Sequence, residues 1–138
     1  MEKRTVLFVD DEEKFLNSIK RALFGEPYET LFANSGKEAI EILRQNQVHV
    51  IVTDMRMPEM SGLELLKIVK EEYSHIIRMV LSGYMHVSTL LSVVNEEDVF
   101  RFITKSSEFT EELKPAIQKA IDYYNHYNKR DKLVKESQ

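Results

Sequence analysis

Val48-His49-Val50-Ile51-Val52-Thr53-Asp54-Met55-Arg56-Met57-Pro58 reads as a buried strand that stops on a carboxylate. Five of the six residues before Asp54 are β-branched, a composition that suits a pleated, packed strand. Pro58 lacks a backbone donor and disfavours helix at Met57, so the strand must pass into a loop. A carboxylate at the carboxyl end of an apolar strand lies at the edge where open α/β sheets bind ligands. An aspartate there also simply caps a loop, and this stretch alone leaves both readings open.

On the amino side, Thr5 to Val9 is an apolar run that ends in Asp10-Asp11-Glu12-Glu13. Phe15, Leu16, Ile19, Ala22 and Leu23 follow on one helical stripe, which Gly25 and Pro27 end. Glu29 to Ala33 is a second, less apolar strand. Ser35-Gly36-Lys37-Glu38 has the spacing of a capping box ahead of Ala39, Ile40 and Leu43. Asn46 and Gln47 turn the chain into the strand at Val48.

On the carboxyl side, Ser61-Gly62-Leu63-Glu64 is another capping box, with Leu65, Leu66 and Val69 as the buried face. Ile76 to Leu81 is a fourth strand, ending at Ser82-Gly83. Val87, Leu90, Leu91 and Val94 have helical spacing, and Asn95 to Asp98 is an acidic turn. Val99 to Ile103 is a fifth strand, ending at Thr104-Lys105. A last helix from about Thr110 carries Leu113, Ile117, Ala120, Ile121 and Tyr124. Pro115 predicts a short first turn there, with regular helix beginning near the proline.

Strand and helix thus alternate five times. The pattern predicts an α/β fold, a doubly wound five-stranded parallel sheet with five helices. The weaker second strand belongs at an edge, which gives the flavodoxin-like order 2-1-3-4-5 with a switch point between the first and third strands. The 138 residues suffice for one domain, expected over 1–125. Residues 126–138 read as a helical extension, or as the start of a linker to an absent output domain; three clear heptads are lacking.

Composition narrows the classes. Apolar content of 43% and charged content of 30% match an ordinary globular chain. The net charge of −4 argues against direct nucleic-acid binding and against an anionic membrane surface. The absence of cysteine excludes disulfides, thiolate nucleophiles and cysteine-ligated metals. No stretch has the length of a membrane span or the pattern of a signal peptide, so a cytoplasmic protein is expected. The histidines, His49, His75, His86 and His126, have no ligand spacing and read as structural. Met55, Met57 and Met60 read as packing or loop-surface residues.

In a parallel sheet the carboxyl ends of the strands meet on one edge. Asp10 and Asp11, Asp54, Ser82 and Lys105 each lie one or two residues past an apolar run, so they converge there. Each has an ordinary reading alone: helix-dipole partners for Asp10 to Glu13, a turn hydroxyl for Ser82, a solvated charge for Lys105. Together they describe chemistry. Three gathered carboxylates must raise a pKa or share a cation, and oxygen-only ligation favours Mg²⁺. Asp11 and Asp54 would bind it directly and Asp10 through water, with the main-chain carbonyl of Arg56 as a further ligand. Lys105 and the Ser82 hydroxyl suit phosphoryl oxygens. Asp54, the single acid on the central strand, is then the candidate to accept a phosphoryl group as an acyl phosphate.

These residues carry a family likeness. The chain resembles a response regulator receiver domain over about residues 4 to 125. The motifs are Val9-Asp10-Asp11, the loop from Asp54 through Pro58 to Gly62, Leu81-Ser82-Gly83 and Phe102-Ile103-Thr104-Lys105. The resemblance implies that Asp54 takes its phosphoryl group from a phosphohistidine on a sensor histidine kinase or phosphotransfer protein. It implies Mg²⁺ on Asp11, Asp54 and the Arg56 carbonyl. It makes Ser82 and Phe102 the switch residues. The readout would be the surface of the helix near Val87–Val94, the fifth strand and the last helix, which is also where a homodimer would form. Ser106 stands where the family usually has proline after the lysine, which favours a trans peptide and puts the placement of Lys105 in question. Gly83 stands where alanine is frequent, and Arg56 and Tyr84 border the site. The runs around Ser82 and Lys105 also look like receivers fused to HD-GYP phosphodiesterases, although neither an HD nor a GYP motif occurs in this chain.

Two rival readings remain at this stage. A phosphatase with an aspartyl nucleophile usually carries a second acid two residues on, where this chain has Arg56. An unphosphorylated interaction module of the same fold would not need the full set Asp10, Asp11, Asp54, Ser82 and Lys105. A nucleotide-binding fold lacks support, since neither GxGxxG nor a P-loop is present.

Overall fold

A computed structural model of the chain describes residues 3–83 and 98–136. Its elements are β1 (Thr5–Val9), α1 (Glu13–Ala22), β2 (Glu29–Ala33), α2 (Gly36–Gln45), β3 (Val50–Thr53), α3 (Gly62–Glu72), β4 (Ile77–Ser82), β5 (Arg101–Thr104) and α4 (Phe109–Glu136). The five strands form one sheet in the order β2-β1-β3-β4-β5, and each neighbouring pair is parallel. The predicted order and direction therefore hold. The helix expected near Val87–Val94, His86, Tyr84 and most of the acidic turn lie outside the described residues. Among the described residues, no helix is long and apolar enough to cross a membrane.

Alternation along each strand divides the core between the two faces of the sheet. Val6 and Phe8 of β1, Val50 and Val52 of β3, and Met79 and Leu81 of β4 pack with Leu16 and Ile19 of α1 and Leu113, Ile117 and Ala120 of α4. Leu7, Val9, Ile51 and Val80 point the other way, onto Ala39 and Leu43 of α2 and Leu65, Leu66 and Val69 of α3. The inner strands are buried on both sides, hence their continuous apolar runs. β2 is mostly part-exposed, as its position at the edge requires.

Both capping boxes cap. The Ser35 hydroxyl accepts from Glu38 N at 3.1 Å, and the Ser61 hydroxyl accepts from Glu64 N at 3.2 Å. They start α2 and α3 where the sequence places them.

Two elements differ from expectation. β3 starts at Val50, although Val48 and His49 read as part of it. The His49 N–H does donate to Thr5 O at 2.9 Å, and His49 O accepts from Ile77 N at 3.0 Å. The Thr5 N–H, however, goes to the Nδ1 of the buried His49 side chain at 2.9 Å. A ring nitrogen thus takes the place of a ladder carbonyl, and the structural reading of His49 acquires a specific bond.

The last helix begins at Phe109, earlier than Pro115 allowed, and the proline lies inside it. Pro115 faces solvent, so the carbonyl four residues before it is left to water. Phe109 and Leu113 are buried in one stripe with Ala116, Ile117 and Ala120. That tertiary packing holds the first turns helical without the lost bond. α4 then continues past residue 125 to Glu136 without a break.

Candidate functional site

The carboxyl ends of β1, β3, β4 and β5 line up because their ladders hold them level. Asp54 N donates to Val9 O at 2.9 Å, and Lys105 N donates to Ser82 O at 2.8 Å. Asp10, Asp54, Ser82 and Lys105 are thereby brought into one constellation.

Asp54 is its centre. One carboxylate oxygen, Oδ1, accepts from the Met55 N–H and from the Ser82 hydroxyl, each at 2.7 Å. The other, Oδ2, accepts from Lys105 Nζ at 3.0 Å. The same ammonium lies 2.7 Å from Asp10 Oδ2 and 3.3 Å from Glu12 Oε1. Asp10 also accepts from Glu12 N at 2.9 Å, so it braces the entry to α1 as well. One carboxylate thus serves both the start of α1 and the cluster around Lys105.

Asp10 and Asp54 are buried, at 3% and 6% exposure. Burial pushes the Asp10 carboxyl above the usual carboxylate range, against the pull of Lys105 and the Glu12 N–H. Burial alone would lower the Lys105 ammonium, but the carboxylates of Asp10 and Asp54 outweigh it and raise its pKa. The result is a lysine locked in its charged form beside two desolvated acids.

A cleft of about 240 Å³ opens over this cluster, lined by Asp11, Glu12, Asp54, Arg56, Ser82, Gly83 and Lys105. Among the described residues, the carboxylates whose oxygens lie within 4.8 Å of one another are Asp10, Glu12 and Asp54. Asp11 is exposed and lines the cleft without joining that trio. The sequence pattern does not single out Glu12 for this cluster, although it stands in the acid run that marks this edge. The donor set is all oxygen and the burial penalty on Asp10 is what a bound cation would offset, so the residues fit a hard divalent ion.

The loop after Asp54 is shaped by close packing. Gly62, the first residue of α3, donates to Met55 O at 2.9 Å. A β-carbon at 62 would collide with the Asp54 carbonyl and the Met55 α-carbon. Glu59 takes a positive φ of 66°, and Met60 N donates to Pro58 O at 2.7 Å, a tight turn at the loop tip. Met55 is buried, while Met57 and Met60 pack at the edge of the core. Phe102 pairs with Val80 across the β4–β5 ladder and is part-buried against the same core.

With Ser106 after it, Lys105 reaches both Asp54 and Asp10. The peptide between Lys105 and Ser106 is trans, and Ser106 N donates to Thr104 O at 2.8 Å, a bond no proline makes. The Ser106 hydroxyl accepts from Glu108 N at 3.3 Å, and its carbonyl accepts from Phe109 N at 3.2 Å. Serine thus builds the turn into α4 with three bonds.

Comparison with known proteins agrees with this geometry. The family described as "Response regulator receiver domain" matches residues 6–118. The chain is 39% identical over 101 residues, 73% of its length, to the hydrogenase transcriptional regulatory protein HoxA of Cupriavidus necator, of which the match covers 21%. Among solved structures, it is similar to the adenylate cyclase of Rhodopirellula baltica, with a TM-score of 0.88, 31% identity, and coverage of 97% of this chain and 98% of that one. It is also similar to a response regulator receiver domain protein of Clostridium thermocellum, with a TM-score of 0.79, 29% identity, and coverage of 95% and 98%. The chain spans about a fifth to a quarter of the length of the curated relatives it matches.

Proposed function

The chain belongs to the response regulator receiver family of two-component signalling, and from that premise we propose that Asp54 is its phosphoacceptor, with Lys105 and Ser82 as the residues that bind the incoming phosphoryl group. The observation that carries this reading is the convergence of three donors on one buried carboxylate. These are the Met55 N–H and Ser82 hydroxyl at 2.7 Å and the Lys105 ammonium at 3.0 Å.

An Asp54 oxygen forms a bond to phosphorus as the bond from phosphorus to the donor's imidazole nitrogen breaks. The imidazole leaves with the electron pair and takes up a proton. Lys105 and Ser82, freed from the carboxylate, turn to phosphoryl oxygens and neutralise charge where it gathers. Asp11, Asp54 and the main-chain carbonyl of Arg56 would hold Mg²⁺, with Asp10 acting through water and Glu12 within reach. Bound there, the ion would supply positive charge that offsets the carboxylates and the phosphoryl oxygens.

The reaction sets a switch. The change in bonding of Ser82 moves β4, and Phe102 on β5 repacks with it, which shifts the domain between two packings. The donor is a sensor histidine kinase or a phosphotransfer protein in the cytoplasm. The reader is an output domain in a longer regulator, as the transcriptional regulators among the relatives suggest. β5 and α4 supply the surface for that readout or for a homodimer, the helix expected near Val87–Val94 lying outside the described residues, and residues 126–138 lead out of the domain.

The test is intact-protein mass after incubation with acetyl phosphate and Mg²⁺. One added phosphoryl group, dependent on Mg²⁺ and absent from Asp54→Ala, is the expected result. Equal labelling of the Asp54→Ala protein would move the acceptor elsewhere. No labelling with a range of donors would leave an interaction module of the same fold.

A further inference from the structure

Lys105 has a neighbour that carries no charge. Its ammonium lies 4.5 Å from the centroid of the Phe15 ring, over the ring face. Phe15 sits on α1, and its own ring packs 4.8 Å from that of Phe109, the first residue of α4. Phe109 is buried, so the pair forms a braced wall between the two helices beside the cleft.

The other partners of the ammonium are carboxylates: Asp10, Glu12 and Asp54. All three have other work. Asp54 ceases to be a free carboxylate once it is phosphorylated, and the trio is also the set of oxygens that fits a cation. Each such event weakens a carboxylate's hold on Lys105. The ring's attraction comes from its quadrupole, which neither titrates nor binds a metal. It persists through the reaction.

We propose that Phe15 is a positioning residue for Lys105, holding the ammonium beside Asp54 through a cation–π contact while the surrounding carboxylates are engaged. This rests on the reading of Asp54 as phosphoacceptor. The competing account is plain packing: Phe15 belongs to the apolar stripe of α1 and fills space against the core whatever lies next to it.

A fluorination series separates the two. Replacing Phe15 with 4-fluoro-, 3,5-difluoro- and 3,4,5-trifluorophenylalanine nearly preserves shape and progressively drains negative potential from the ring face. Two quantities are read on each protein. One is the NMR shift of the Lys105 ε-methylene before any labelling, which the ring current moves upfield. The other is the rate of labelling by acetyl phosphate at saturating Mg²⁺. The shift is expected to relax stepwise toward that of free lysine, and the rate to fall stepwise by about 3- to 30-fold in total, the range from a partly to a fully desolvated cation–π contact. Phe15→Leu should abolish the upfield shift. A rate that stays flat across the series overturns the proposal, since packing alone predicts that result. Should the parent protein accept no phosphoryl group, the function reading fails and the shift decides. A graded upfield shift still supports the contact, and a free-lysine value in the parent refutes it.

Discussion

The α-carbon of Gly62 lies directly against the backbone of Asp54, so that the start of α3 clamps the loop that follows Asp54. No side chain fits between them. Gly62→Ala should destabilise the protein by about 1–3 kcal/mol, the usual cost of overpacking a close contact, despite alanine's better helix propensity. Urea unfolding measures it; a variant as stable as the parent would show that the contact is looser than described.

Lys105 neutralises two buried acids, and its removal strands them. Lys105→Met is expected to cost about 3 kcal/mol at neutral pH, typical of breaking a buried pair. The sign of its pH response follows from Asp10, whose folded pKa is raised. Stability held by such an acid is fully present below its unfolded pKa and is lost as pH rises through the folded one. The Lys105→Met protein should therefore regain stability on acidification relative to the parent, and Mg²⁺ should stabilise it more than it stabilises the parent. Denaturation at several pH values, with and without Mg²⁺, checks both; a penalty independent of pH and ion would mean that Asp10 does not feel the lysine.

Tyr28 offers a second titration, far from the cleft. Its hydroxyl is buried without a hydrogen-bond partner among the described residues. Burial, and then the charge of Glu26, push its pKa up to about 12 from 10.0. A raised pKa means that the contribution is intact below pH 10 and lost as pH climbs through about 12. Tyr28→Phe should flatten the alkaline loss of stability and add roughly 1 kcal/mol at neutral pH by removing an unpaired buried hydroxyl. An unchanged alkaline slope would show that other groups govern it.

Pro115 interrupts one hydrogen bond of an otherwise continuous helix. Pro115→Ala restores that bond on the solvent face. The gain in helix propensity, about 3 kcal/mol, is reduced by the looser unfolded chain, leaving an expected rise of about 1–2 kcal/mol. A fall in melting temperature would show that the proline sets a bend α4 needs for packing.

The sheet was legible because β-branched runs, turn residues and capping boxes all agreed. Ser35 and Ser61 cap as read, and the strand order follows from which strand is least apolar. The convergence of Asp10, Asp54, Ser82 and Lys105 followed from parallel strands alone. What stayed hidden depends on contacts made at a distance. Pro115 reads locally as a barrier, and only the burial of Phe109 and Leu113 overrides it. His49 reads as a strand residue, and nothing in its local sequence says that its ring accepts from the Thr5 N–H. Phe15 reads as core from its spacing, and nothing in the sequence says that Lys105 lies over its ring. Glu12 was visible in the acid run, but whether Asp11 or Glu12 approaches Asp54 depends on how α1 leaves the strand.

Among the described residues, β3 is hydrogen-bonded on both sides and β5 on one. Asp54 therefore hangs from a strand with two supports, and Lys105 from a strand with one. Any tension developed between the two residues is relieved by the more compliant side. The sheet thus has a built-in direction of yielding: a pull between the two residues would move the soft margin before the stiff centre.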